Sequence, residues 1–298
     1  MEYIGEIAAL LTSLFWTITA VVFAEASRRV GSMVTNRVRL VIALIYLLLI
    51  NLVLFGQPLP LNAGSDRWWW LSLSGIVGLS LGDMFLFRAY ELIGARMGML
   101  MLSLAPIIGA LIAWLFFGET LRLVQILGIA VTLGGITWVV ATRPADAARR
   151  PGISKRGLFY GFLAATGQAL GLVLSKQAMA DDFSPFAANI IRMLAATAVL
   201  WLVTLTQRQV GPTLRSVRIQ PAALKLLALG ALVGPVLGVS ASLLAVQHAE
   251  IGVASTLMAL PPVFLLPVGY FFFKERFGWQ TVAGTLVTIA GVALLFLA

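Results

Sequence analysis

The chain has 298 residues, of which 60% are hydrophobic and only 11% charged, with a mean hydropathy of +0.98; soluble domains carry roughly 25% charged residues, so an integral membrane protein is expected. The absence of cysteine and the single histidine, His248, exclude disulfide and thiol chemistry and a His-rich metal site, and no metal or cofactor is expected. A net charge of +9 would fit nucleic acid in a soluble protein, but the basic residues gather in loops beside apolar runs, so no nucleic-acid partner is expected.

A transmembrane helix needs about 20 mostly apolar residues, and the chain divides accordingly into ten predicted spans. The first half (residues 1–142) gives Ile4 to Glu25, Met33 to Phe55, Trp68 to Leu92, Arg96 to Phe117 and Leu121 to Thr142. A basic linker, residues 143–156, has no apolar periodicity. The second half (residues 157–298) gives Gly157 to Met179, Ser184 to Thr206, Ala222 to His248, Gly252 to Phe273 and Phe277 to Leu297. The N-terminus lacks the basic region and short apolar core of a cleaved signal, so the first span is expected to be retained.

The two halves repeat one another. At a constant offset of 156, the pairs Gly78/Gly234, Gly82/Gly238, Pro106/Pro262, Phe116/Phe272, Glu119/Glu275, Gly128/Gly284, Thr132/Thr288 and Gly135/Gly291 coincide without a gap. Earlier in each half the match is weaker, with Gly5/Gly157 and Arg39/Arg192 at offsets of 152 and 153. Duplication of a unit with an odd number of spans inverts the second copy in the membrane, an arrangement that serves alternating access. The fold class expected is therefore all-α, ten transmembrane helices as two inverted five-helix repeats. Loops 1–2, 3–4, 5–6, 7–8 and 9–10 carry thirteen Lys and Arg residues from Arg28 to Arg276, against Arg67 and Arg122 opposite. By the positive-inside rule both termini are predicted on the non-cytoplasmic side.

An intramembrane ionisable residue needs a reason, since translocon scales put the cost at about 2.5 to 3.5 kcal/mol. Asp83 lies mid-span, with Phe87, Tyr90 and Glu91 on its helical face. Two readings stay open: a cavity carboxylate for a substrate amine or a proton, or a structural ion pair with Lys176 or a neighbouring Arg. Span 6 places Gln168, Leu172, Ser175 and Lys176 on one face, and span 1 presents Trp16 and Phe23. Trp16 facing Gln168 would give a site one apolar and one hydrogen-bonding wall, while packing of Trp16 against lipid or core is the alternative. Lys176, near a span end, has snorkelling as its plain reading. Ser242, Gln247 and Thr256 complete the candidate lining, although Ser and Thr often bond only to their own helix. His248 offers an imidazole for proton coupling, with a loop contact beside Glu250 as the alternative. Arg39 and Arg192, in the first two turns of spans 2 and 7, are expected to reach headgroups or helix C-terminal carbonyls. Trp68, Trp69 and Trp70 read as an interfacial anchor. Pro106 and Pro262 are predicted kinks and hinges, and Glu119 and Glu275 are predicted to cap the N-termini of spans 5 and 10.

These features together resemble the EamA type of the drug/metabolite transporter superfamily. The resemblance is carried by Arg39 and Arg192, Pro106 and Pro262, Glu119 and Glu275, and the Gly128…Gly135 and Gly284…Gly291 pairs, and it covers essentially the whole chain; Lys274 departs from Gly118 of the first repeat. It implies a secondary transporter, mostly exporting or exchanging small metabolites such as amino acids through a central cavity, in the bacterial inner membrane. No G-x-x-x-x-G-K-[ST] motif is present, so the expected energy source is a proton or solute gradient rather than ATP. A passive channel or facilitator is the alternative class. An intramembrane enzyme is not expected, because no Ser-His-Asp spacing or cysteine nucleophile is available. Nothing in the sequence sets an oligomeric state, and a monomer suffices for this reading.

Overall fold

A computed structural model describes residues 3–117, 122–141, 154–179, 183–249, 254, 257–273 and 278–296. Among these the regular structure is helical, with no strand. Six helices are long and apolar enough to cross a membrane, and three shorter apolar helices accompany them.

α1 (Ile4–Val30) and α2 (Ser32–Phe55) are separated only by Gly31, whose φ of 87° is open to glycine and strained for other residues. The third helical run has three parts: α3 (Ser65–Ser74), a π-helical segment π1 (Gly75–Gly82) and α4 (Asp83–Leu102). At about 1.5 Å per residue this 38-residue run is far longer than one crossing of about 30 Å. The excess is resolved at Gly94, whose φ of 79° and ψ of 164° leave the helical region inside α4. Gly94 therefore ends one crossing, and the residues after it start the next.

That next crossing is interrupted too. α4 stops at Leu102, Ser103 and Leu104 form a turn, and α5 (Ala105–Phe117) resumes. The predicted span Arg96 to Phe117 is thus two half-helices. Pro106 does not kink a continuous helix as expected from the sequence; it stands in the first turn of α5, where its missing N–H has no intrahelical partner to lose. α6 (Leu123–Ala141) completes the first half.

The second half repeats these devices. α7 (Lys155–Lys176) starts on Ser154, whose hydroxyl accepts from the Gly157 amide, and α8 (Pro185–Thr206) starts on Ser184 in the same way. α10 (Pro221–Ala231), the π-helical π2 (Leu232–Gly238) and α11 (Val239–His248) form one long run. α12 (Pro261–Phe273) follows a turn at Ala259, so Pro262 also lies in a first turn rather than at a mid-helix kink. α13 (Trp279–Phe296) closes the chain. An element unforeseen from the sequence, α9 (Val210–Ile219), lies between α8 and α10 and is tied down where Arg37 donates to the Thr213 hydroxyl at 2.9 Å. Glu119, Glu275, Lys274 and Thr256 lie outside the described residues.

Close glycine contacts show how the two halves meet. A Cβ on Gly135 would lie 2.5 Å from Thr288 Oγ1, and one on Gly291 would lie 2.4 Å from Thr132 Oγ1. These are the same contact made twice with the halves exchanged. Because the higher-numbered partner falls as the lower rises, α6 and α13 cross antiparallel. Gly78 against Gly171 and Gly82 against Gly167 bring π1 onto α7 in the same sense, and Gly234 against Thr19 and Gly238 against Trp16 bring π2 onto α1. Small residues at such crossings let backbones approach, which is how helices gain van der Waals contact where lipid is as apolar as leucine.

Candidate functional site

Both π segments sit at the same place in their repeats, and each is held by a neighbouring helix. A π turn shifts the backbone ladder by a residue and loosens carbonyl groups from their helical donors. In the first half Asn36 Nδ2 donates to Ser80 O at 2.9 Å and Arg39 donates to Leu79 O at 3.0 Å. In the second half Asn189 Nδ2 donates to Pro235 O at 2.8 Å and to Ser240 Oγ at 3.0 Å. Asn36 and Arg39, like Asn189 and Arg192, are spaced i, i+3 and so share one helix face.

Asp83 is the first residue after π1. Its Oδ2 is paired directly with Arg39, and its Oδ1 accepts from Gln168 Nε2 at 3.2 Å. Arg39 spreads its remaining donors onto Asn36 Oδ1, at 2.8 and 3.1 Å, and lies 4.9 Å from the Phe87 ring centroid and 5.8 Å from that of Phe23. Asp83 is 6% exposed and Arg39 2%. A buried pair loses hydration that Coulomb attraction alone repays poorly, so the further hydrogen bonds from Gln168 and to Asn36 and Leu79 are what make it tenable. Gln168 belongs to the second half, so the carboxylate is shared between repeats.

Around this pair lies a cavity of about 330 Å³. Trp16, Phe23, Phe87 and Tyr90 give it an aromatic wall, and Asp83, Arg39, Gln168, Lys176 and Arg192 supply its charged and amide groups. Ser103, Pro106 and Pro262 line it from the breaks that precede α5 and α12. Phe23 and Phe87 pack with ring centroids 5.2 Å apart, and Tyr90 donates to Met99 Sδ at 3.0 Å. A mostly apolar hollow with a few convergent polar groups is the general form of a small-molecule site.

The sequence candidates divide. Trp16, Asp83, Tyr90, Gln168, Lys176 and Ser242 all line the cavity, although the Ser242 hydroxyl is spent on Val239 O at 2.8 Å. Ser175 does not line it: fully buried, it donates back to Leu172 O. Gln247 donates to Phe183 O at 3.3 Å, away from the cavity, and His248 contacts Leu244 O on its own helix. Glu91, placed on the Asp83 face by spacing, instead pairs with Arg88 at 2.5 Å and accepts from the Ser32 amide. The ion-pair partner of Asp83 is Arg39, not Lys176.

The largest correction concerns Arg39 and Arg192. Expected at the interface, both are buried, Arg192 at 4% exposure, and both face the cavity. Their distance from the helix start hid this, because α2 and α8 run deeper into the bundle than their first polar residues suggest. A usable signal was the repeated Asn-x-x-Arg, Asn36 to Arg39 and Asn189 to Arg192: an amide and a guanidinium on one face of an apolar helix need polar partners inside the protein.

The sequence pattern of the EamA-like transporter family matches residues 3–141 and again residues 155–297. No curated protein matches the chain. A solved structure titled only as the crystal structure of a protein aligns with 99% of this chain and 96% of its own, at a TM-score of 0.64 and 19% identity, a likeness of fold. With two matched repeats spanning nearly its whole length, the chain belongs to the EamA-like transporter family.

Proposed function

We propose that the protein is a secondary transporter that exports small organic metabolites, amino acids among them, by alternating access of two inverted five-helix repeats. The observation that carries this reading is the cavity itself, lined from both repeats and built around a buried carboxylate that Arg39 of one half and Gln168 of the other both hold. Alternating access needs a central site and helices that rearrange around it. The breaks at Ser103–Leu104 and Ala259–Leu260 place two half-helix starts on the cavity wall, so the hinge role of Pro106 and Pro262 becomes that of fixing those starts. Lys176 and Gln125, both at helix ends, line the same cavity, so it reaches toward the end of the bundle where α5 joins α6 and α7 joins α8. This fits one conformer of an alternating cycle.

The test is counterflow in proteoliposomes. Labelled amino acid inside the vesicles is expected to exchange against an unlabelled pool outside, with a rate that saturates. A current that rises without saturation would mark a channel and end the proposal.

Orientation follows from charge. Val30, Gly31, Arg37, Arg88 and Gln207 line one shallow pocket, so loops 1–2, 3–4 and 7–8, with their Arg28, Arg29 and Arg208, share an end of the bundle. That end is assigned to the cytoplasm and both termini to the opposite side, in the inner membrane of a bacterium. A reporter fused to the C-terminus and active only outside the cytoplasm should give signal; activity of a cytoplasm-only reporter would reverse the topology.

A further inference from the structure

The two halves of the cavity are alike in sequence and unlike in charge. In the first half Arg39 is neutralised by Asp83, and Asn36 Oδ1 accepts from Arg39 Nε and Nη2. In the second half the position of Asp83 is taken by Val239. Asn189 Oδ1 is buried without a hydrogen-bond partner among the described residues, and so is Arg192 Nε. Arg192 is 4% exposed, faces the cavity, and stands over the glycine track of π1: a Cβ on Gly78 would come within 3.6 Å of its guanidinium. Among the described residues the lining carries the buried guanidinium groups of Arg39 and Arg192, with Lys176 at its exposed end, against the carboxylate of Asp83. Ser103 Oγ, in the break before α5, is a further lining group, 3% exposed and without a partner among the described residues.

We infer that the missing acceptor of Arg192 is the carboxylate of the transported solute. A guanidinium offers a planar fork of donors that matches a carboxylate in bidentate fashion. Arg192 feels the Asp83 carboxylate only through space, and a buried guanidinium nitrogen with no acceptor is costly, so a solute carboxylate that accepts from it lowers that cost as it binds. A cationic or uncharged solute would leave Arg39 and Arg192 with the Asp83 carboxylate alone among the described lining groups. Trp16, Phe23 and Phe87, on the aromatic wall of the same cavity, receive its apolar body. The inference rests on the transport reading above and narrows it: the substrates are monocarboxylates and zwitterions, held by the carboxylate end at the second repeat. Arg192 is then a substrate-binding residue, and the Asp83–Arg39 pair is the fixed polar wall beside it.

The experiment is a thermal-shift titration of the purified full-length protein with matched pairs that differ only at one group: 3-phenylpropionate with 3-phenylpropionamide, L-phenylalanine with L-phenylalaninamide, and inorganic phosphate as a separate oxyanion. A ligand that binds only the folded state raises its apparent stability. The carboxylate member of at least one pair is expected to stabilise at concentrations at least tenfold below its amide. Arg192→Gln is expected to raise its half-maximal concentration at least tenfold, and Arg192→Lys to lose less. Equal response to acid and amide, response to neither member of any pair, response to phosphate alone, or an unchanged response in a folded Arg192→Gln protein overturns the inference. The wild-type pairs decide the matter even if Arg192→Gln fails to fold. Discrimination of acid from amide with no counterflow of labelled L-phenylalanine would keep the anion site and remove the transport reading; counterflow of amines or neutral solutes, unaffected in Arg192→Gln, would do the reverse.

Discussion

Asp83→Asn is expected to destabilise the protein by about 3–5 kcal/mol and to abolish solute exchange while the chain still inserts. The size follows from what remains: Arg39, 2% exposed, would keep its charge in a buried site with no counter-charge, and uncompensated buried ions are costly. Asparagine keeps the shape of the carboxylate but can only donate or accept weakly where Arg39 and Gln168 now both donate. A paired substitution separates support of the fold from transport. Replacing both partners, Asp83→Val with Arg39→Leu, removes the buried charges together, and such apolar replacements are often neutral or stabilising. Most of the apparent Tm, followed by tryptophan fluorescence, should return. Exchange should not, because the cavity has lost its polar wall. Wild-type exchange by the double variant would reduce Asp83 to a structural residue.

The second large effect is expected from Gly167→Val. A Cβ there would lie 2.7 Å from Gly82 Cα and 3.2 Å from both Gly82 N and Val77 O. The obstacle is backbone, which cannot swing aside as a flexible side chain can, so the cost should sit at the upper end of overpacking, about 3 kcal/mol. The effect should also reach the site. Gln168 is the next residue, and forcing α7 away from π1 lengthens its 3.2 Å bond to Asp83. A lowered Tm with reduced exchange is the expected result. Gly109→Ala and Gly134→Ala serve as controls, since neither added Cβ meets an atom within 4 Å. If Gly167→Val matched these controls, the close crossing would not be a determinant of stability.

Much of the architecture was legible in the chain. The 156-residue register found by matching Thr132 with Thr288 and Gly135 with Gly291 reappears as two equivalent contacts, because across a pseudo-two-fold axis Gly135 meets the counterpart of Thr132 and Gly291, the counterpart of Gly135, meets Thr132. Trp16, Asp83 and Gln168 could be placed on the cavity because helical spacing fixes which residues share a face. Of the partners open to Asp83, an Arg rather than Lys176 takes the place, and Ser175 turns from the cavity: spacing gives the face of one helix but not its rotation against the next. The break at Gly94 falls between the predicted spans Trp68 to Leu92 and Arg96 to Phe117, whereas the interruption of the fourth crossing was missed because the Ser103–Leu104 turn sits in a run as apolar as an intact helix. The proline that drew attention to this stretch marks the start of α5 rather than a bend within it.

What the sequence by itself determined is the environment, the duplication and the charge asymmetry between loops. Each is a property of composition along one dimension, and hydrocarbon enforces it span by span. Only the tertiary structure decided which buried charges meet. Arg39 and Asp83 stand 44 positions apart on different helices, and their pairing depends on the π turn that precedes Asp83, whose Leu79 carbonyl Arg39 also holds. The same geometry gave Arg39 a direct ion pair and left Arg192 Nε without a hydrogen-bond partner among the described residues. Two positions that match in the sequence thus differ in the fold, because the residue that would neutralise the second is Val239.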